Sequence, residues 1–185
     1  VCDFFDADVN GIFNFKNIGN TFKNYVRKHF HINKWGDKGM KLSDEEQDFY
    51  VNMKFKDTET LSQLLMPKLK VSNNTNFTAT FTSANYQLYS TLESEMIVYN
   101  KMIFNNLYLK NKTERNKTTA NISLKELVLK EAKGKNDVEL GLENIVFLLD
   151  AHSDSLLFDL SWNDDSDEDK NKGNLEAVFL PNDIH

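Results

Sequence analysis

The feature that most constrains this chain is a hydrophobic period of two. Phe49, Val51, Met53 and Phe55 alternate with Tyr50, Asn52, Lys54 and Lys56, which is the pattern of a strand with one apolar and one polar face. The same alternation returns in Leu156, Phe158, Leu160 and Trp162. Between and beyond these two runs, strand-like segments follow one another after Val71: Phe77/Ala79/Phe81, Tyr86/Leu88/Leu92, Met96 to Tyr99, Met102 to Leu109, Ile122/Leu124, Leu127/Leu129, Val138/Leu140/Leu142, Ile145 to Leu149, and Leu175/Ala177/Phe179. Polar turns separate them at regular intervals, so the fold class predicted is mainly β (α+β), an antiparallel meander.

Two helices interrupt the pattern. Phe15, Ile18, Phe22, Tyr25, Val26 and Phe30 recur in steps of three and four, predicting an amphipathic helix over 15–30. Gly19 weakens its first turns by about 1 kcal/mol relative to Ala. Asp57 or Thr58 is placed to cap a short plug-like helix over 58–67, with Leu61, Leu64, Leu65 and Leu69 near one stripe and Pro67 as its stop. Trp35 to Gly39 reads as a turn-rich connection. With two prolines and seven glycines among 185 residues, no flexible linker is visible, and 1–185 is read as one continuous β-rich segment.

Charge narrows the function classes. The net charge of -6 comes from 22 basic and 28 acidic residues. Five of those acids, Asp164, Asp165, Asp167, Glu168 and Asp169, crowd into one polar stretch, leaving about -1 elsewhere (-6 + 5). That stretch is expected to be a solvated hairpin tip that repels edge-to-edge association. Without a basic cluster interleaved with aromatics, phosphate-backbone binding is disfavoured, so no nucleic-acid partner is expected. Cys2 is the sole cysteine, so no internal disulfide forms and either redox compartment is compatible. No run reaches the ~18 apolar residues of a membrane span. The start at Val1 without a signal pattern suggests an excised fragment, any anchor lying outside it.

Motifs that carry chemistry are sparse. Asp6, Asp8 and Asn10, followed by Gly11, reproduce the front of a calcium-binding EF-hand loop, but the twelfth position is Asn17 where a bidentate Glu is needed. A β-turn with solvated acids is the default there. His29 and His31 flank Phe30 with no third ligand nearby, so they are read as polar residues at a helix end, where an imidazolium suits the dipole, in preference to a zinc or copper site. His152 falls in an expected turn. No nucleophile elbow or phosphate-cradling Gly-rich loop is present, so no catalytic residue and no cofactor is assigned. Asn-x-Ser/Thr sequons begin at Asn73, Asn76, Asn111, Asn116 and Asn121, a number that a chain rich in Asn and Thr carries by chance.

What remains is the apolar strand faces. Phe49, Val51, Met53, Phe55, Leu156, Phe158, Leu160 and Trp162 either fill a closed sandwich core, as in an adhesion or protein-interaction module, or line a curled, unclosed sheet that offers a trough to acyl chains. Periodicity fits both.

Three stretches carry a resemblance that bears on the choice. They are Asn10-Gly11-Ile12-Phe13-Asn14-Phe15-Lys16-Asn17-Ile18; Lys56-Asp57-Thr58 through Leu64-Leu65-Met66-Pro67 to Leu69, followed by Phe77 and Phe81; and Asp154-Ser155-Leu156-Leu157-Phe158-Asp159-Leu160-Ser161-Trp162-Asn163, then Gly173-Asn174-Leu175-Glu176. Together they resemble the periplasmic TamB family of Bacteroidetes, the AsmA-like translocation and assembly proteins. The resemblance implies a taco-like curled β-sheet with a greasy interior, and a slice of a larger repetitive periplasmic protein anchored to the inner membrane. It also implies phospholipid acyl chains and outer-membrane assembly proteins as partners. The helices near 15–30 and 58–67 depart from a simple groove.

Overall fold

The computed structural model describes residues 3–30, 46–56, 58–59, 62, 68–115, 117–133, 136–152, 154–163 and 172–179. The acidic run 164–169, His31, Trp35 to Gly39 and most of the helix expected at 58–67 lie outside the described residues. Of that helix, one turn is visible: the Ser62 amide donates to Thr58 O at 2.7 Å.

The described elements run β1 (Phe5–Ile12), α1 (Phe15–Phe30), β2 (Asp48–Phe55), β3 (Leu69–Val71), β4 (Asn76–Thr82), β5 (Gln87–Tyr99), β6 (Met102–Glu114), β7 (Lys117–Lys133), β8 (Asn136–Ala151), β9 (Leu156–Asn163) and β10 (Lys172–Phe179). All ten strands belong to one antiparallel sheet in the order β1-β2-β4-β5-β6-β7-β8-β9-β10, with β3 beside the far end of β5. The sheet is not closed. The helix boundaries match the apolar steps of three and four, and the mainly β meander is as the alternation predicted.

Three corrections to the sequence reading follow. The stretch Asp6 to Gly11, expected as a turn, is the edge strand β1, paired with β2 from Phe5↔Phe55 to Ile12↔Asp48. Met96 to Tyr99 is the far half of β5, Leu127/Leu129 the far half of β7, and Val138 to Leu142 is continuous with Ile145 to Leu149 in β8. A second sheet, which a sandwich requires, does not occur among the described residues.

The reason for those apparent breaks is a crease across the sheet. Asn106 in β6 and Asn144 in β8 have φ of 49° and 48°, and Asn74, between β3 and β4, has φ of 65°. Asn106 is bracketed by the pairs Ser94↔Leu107 and Met96↔Asn105, and Asn144 by Leu124↔Ile145 and Glu126↔Glu143. Asn74 follows Val71↔Ile97 and precedes Asn76↔Glu93, so the three asparagines fall along one line across the strands. Asn is the non-glycine residue best suited to left-handed backbone, and one such residue breaks the pleat and re-aims the side chains. At the same line, the hydroxyls of Ser72, Thr75 and Ser94 close on one another, with Thr75 Oγ1 2.7 Å from Ser94 Oγ. Beyond the crease both faces are apolar: Ile103 and Val128 lie opposite each other on one face, Phe104 and Leu127 on the other. There the period of two gives way to continuous apolar runs.

Asn106 is exposed, so the crease is testable through backbone conformation alone. Asn106→Val is expected to lower unfolding free energy by about 1–2 kcal/mol in thermal or urea melts, because a β-branched side chain resists positive φ, whereas Asn106→Gly is expected to be close to neutral. Equal losses in the two variants would rule out a left-handed requirement at this position.

Candidate functional site: an apolar sheet face roofed by a helix

In an antiparallel ladder, residues directly opposite one another point to the same face. Following the register across the whole sheet therefore assigns every side chain on this side of the crease. One row runs Ala7, Met53, Phe77, Leu92, Leu109, Ile122, Phe147, Leu160, Leu175. The next, two residues along, runs Val9, Val51, Ala79, Ser90, Asn111, Ala120, Leu149, Phe158, Ala177. Only Ser90 and Asn111 are polar in these two rows. A row of the opposite face reads Asp8, Asn52, Thr78, Thr91, Lys110, Asn121, Leu148, Asp159, Glu176. Leu148 is its sole apolar residue. The sheet is thus amphipathic from edge to edge.

All eight residues singled out by the alternation share the apolar face. Phe49 and Phe55 lie two residues either side of Val51 and Met53 in β2, and Leu156 and Trp162 flank Phe158 and Leu160 in β9. They form two groups seven strands apart in sequence order, bridged by residues that the alternation alone did not single out, such as Leu92, Leu109, Ile122 and Phe147. The missing signal is register: each strand declares two faces, but only pairing says which faces coincide. Aromatic contacts reinforce the row ends, with ring centroids 5.6 Å apart for Phe49–Phe81, 6.0 Å for Phe147–Phe158 and 5.7 Å for Phe158–Phe179. Trp162 lies opposite Gly173, where a Cβ would collide with the indole ring. Leu156, Phe158, Leu160 and Trp162 are half-buried, not sealed.

Helix α1 lies over part of this face. Asn14 caps it, its Oδ1 accepting from the Lys16 amide at 2.9 Å, and the Asn14 amide donates to Oε1 of the buried Gln47 at 3.0 Å. Gln47 in turn is tied to Ser83 at the β4–β5 turn by two hydrogen bonds, its amide on Ser83 Oγ at 2.9 Å and its carbonyl accepting from the Ser83 amide at 2.8 Å. At the other end the basic last turn suits the helix dipole. Lys28 Nζ donates to Asn85 O at 2.9 Å and stands over the Tyr86 ring, while His29 Nε2 donates to Tyr86 O at 2.8 Å. His29 is therefore a buried anchor, and His31 lies outside the described residues. In the middle, the buried Tyr25 reaches the sheet: its hydroxyl is 2.7 Å from Thr113 Oγ1, which is 3.1 Å from Thr118 Oγ1. Asn111 Nδ2 donates to Leu88 O at 3.1 Å. The sequon at Asn111 thus points under the helix, and its Thr113 is wholly buried.

Where α1 meets the sheet, an apolar cleft of about 670 Å3 opens to solvent. Ile18, Phe22, Tyr25, Val26 and Phe30 of the helix face Phe49, Val51, Phe77, Ala79, Phe81, Leu88 and Ser90 of the sheet across it.

The opposite face is electrostatic. Lys56 pairs with Asp6 at 2.5 Å, Lys117 with Asp150 at 2.7 Å, and Lys112 with Glu114 at 2.6 Å. The Glu114 hydrogen bond, opposed by desolvation and aided by the charges of Glu114 and Tyr89, raises the Lys112 amine above its ordinary value. Asp6, Asp8 and Asn10 sit on this face of β1, with Asn10 Nδ2 donating to Asp8 Oδ1 at 2.8 Å. On a strand such donors are spaced ~7 Å apart in a line instead of wrapping round a cation. Among the described residues no group of three or more His, Cys, Asp or Glu is placed to hold a metal. His152 sits in the β8–β9 turn, 3.0 Å from Asp150 Oδ1. Among the described residues no helix is long and apolar enough to cross a membrane.

No protein-family model, curated protein or solved structure matches this chain.

The Tyr25 hydroxyl is the helix's central anchor on the sheet. Removing it leaves Thr113 bonded to Thr118 and Asn111 bonded to Leu88 O, so Tyr25→Phe is expected to cost about 1 kcal/mol in chemical unfolding. Amide exchange in α1 is expected to speed up with β6 and β7 unchanged. A variant with native stability and unchanged α1 exchange would show that this bond does not hold the helix.

Proposed function

We propose that this chain is a non-catalytic, lipid-contacting segment whose apolar sheet face accommodates phospholipid acyl chains, within a longer TamB-like periplasmic protein that carries lipid between membranes. The observation that supports this most is the continuity of the apolar rows from β1 to β10 on a sheet that does not close on itself. A core that only served stability would be covered by a second layer. Among the described residues α1 covers the β2–β6 region, and the β8–β10 region is left half-open. Apolar surface of this extent, concentrated on one side and backed by a mostly polar face, suits a partner that is apolar along its length.

The edges favour a segment of a longer array over a self-contained unit. Leu175 and Phe179 continue the apolar rows onto β10 yet are 51% and 38% exposed, as expected where a neighbouring strand would complete their burial. The closed-sandwich alternative requires an opposing sheet over Phe158 and Leu160, and the described residues supply none.

The test is a photo-reactive phenylalanine analogue placed at Phe158 in cells, with the same analogue at Asn121 on the polar face as control. Irradiation is expected to give phospholipid adducts at 158, read by mass spectrometry, and none at 121. Absence of acyl-chain adducts at 158, or equal yield at both positions, would contradict the proposal.

A further inference from the structure

The charges of α1 are all of one sign. Lys16, Lys23, Arg27 and Lys28 fall within 15–30 and no Asp or Glu does, so the helix carries +4 and the rest of the chain -10 (-6 - 4). Part of that charge has a local reason. Arg27 and Lys28 sit in the last turn, where the helix dipole favours cations, and Lys28 also donates to Asn85 O. Lys16 and Lys23 have no such reason. Lys16 stands in the first turn, where the dipole opposes a cation and no acid offsets it. Both side chains are exposed, and neither enters an ion pair among the described residues.

The side of α1 that meets the sheet is not the centre of its apolar stripe. Its buried residues are Thr21, Asn24, Tyr25 and His29, whereas Phe22 is 53% exposed. A Cβ at Gly19 would meet nothing within 4 Å, which marks the outward direction of the helix. At about 100° per residue, Phe22 and the half-buried Val26 lie to one side of Gly19, and Lys16 and Lys23 to the other. An apolar strip and a cationic strip thus run side by side on the solvent side of a helix ~24 Å long. A partner that satisfies both has apolar groups directly beneath an anionic layer. The surface of a bilayer rich in anionic phospholipid has that layering, whereas an acidic protein surface would set Phe22 against charge.

We propose that the outer side of α1 docks on the surface of a membrane rich in anionic phospholipid. Phe22 enters the boundary between headgroups and acyl chains, and Lys16 and Lys23 meet the headgroup phosphates. Stable attachment takes both parts, since a single apolar side chain or a pair of cations gives only marginal binding. The docking rests on the helix alone and does not require the acyl-chain reading of the sheet face.

The test is co-sedimentation of the intact chain with vesicles of phosphatidylcholine alone, or of equal parts phosphatidylcholine and phosphatidylglycerol. Binding is expected with the mixed vesicles only, weakening as salt rises. Lys16→Gln combined with Lys23→Gln is expected to weaken it by about tenfold or more, and Phe22→Gln by about tenfold, with native circular dichroism in each. The same double change at Lys54 and Lys70, exposed lysines of β2 and β3, removes equal charge and is expected to leave binding unchanged. No binding to the mixed vesicles, equal binding to both kinds, or equal loss from the two lysine pairs overturns the proposal, as does unchanged affinity in a folded Phe22→Gln variant. Should Phe22→Gln fail to fold, the two lysine pairs decide the matter, since all four side chains are exposed. Retention on polyglutamate beads without binding to mixed vesicles would assign the strip to an acidic protein instead.

Discussion

The structure depends on one constraint, the uninterrupted antiparallel register between β1 and β10. Because facing residues in each ladder share a side, a single slip by one residue at any of the pairings would send every side chain beyond it to the wrong face. The register instead lines up nine strands so that Ala7, Met53, Phe77, Leu92, Leu109, Ile122, Phe147, Leu160 and Leu175 form one row. Lys and Asp side chains are thereby gathered on the opposite side. The amphipathic character belongs to the sheet as a whole, since an isolated strand of this kind has no partner for its apolar half.

An apolar face of this size sets a problem that the chain solves only in part. Helix α1 covers the region over β2 to β6, and Tyr25, Phe81 and Ala79 become buried there. It does so by hydrogen bonds at three points and by the packing of Tyr25 edge-on against Phe81. Directional bonds from Tyr25 to Thr113 and from His29 to Tyr86 O choose a single seat for the helix, which apolar contact alone would not. At the opposite end, β9 and β10 carry the same apolar rows, and no helix among the described residues lies over them. The two ends therefore differ in access while sharing one continuous surface.

Much of this was legible in the sequence, for physical reasons that also mark where legibility stopped. The period of two in Phe49 to Lys56 and in Leu156 to Trp162 arises from the pleat, so β2 and β9 and their apolar sides could be read directly. The steps of three and four in Phe15 to Phe30 likewise gave α1. Edge strand β1 was missed because Asp6, Asp8 and Asn10 alternate with Ala7 and Val9, too little apolar surface to stand out from a turn. Strands β5, β7 and β8 were split because the pleat breaks at the line through Asn106 and Asn144, where alternation yields to runs such as Met102-Ile103-Phe104. The seat of the helix was invisible for a different reason. Ala79 and Ser90 become neighbours only when β4 and β5 pair, and Tyr25 and Thr113 meet only when α1 lies across the strands. Those are long-range facts that no local period encodes.

The central claim is that acyl chains meet one face of this sheet and not the other. It is tested most directly by methyl NMR of the chain with a phospholipid carrying a nitroxide on its acyl tail. Paramagnetic broadening is expected to be strong at the methyls of Val51, Leu92, Leu109, Ile122 and Leu160, and weak at those of Leu148, Leu157 and Val178 on the opposite face. Broadening of equal strength on both faces, or none on the first group, would contradict the account.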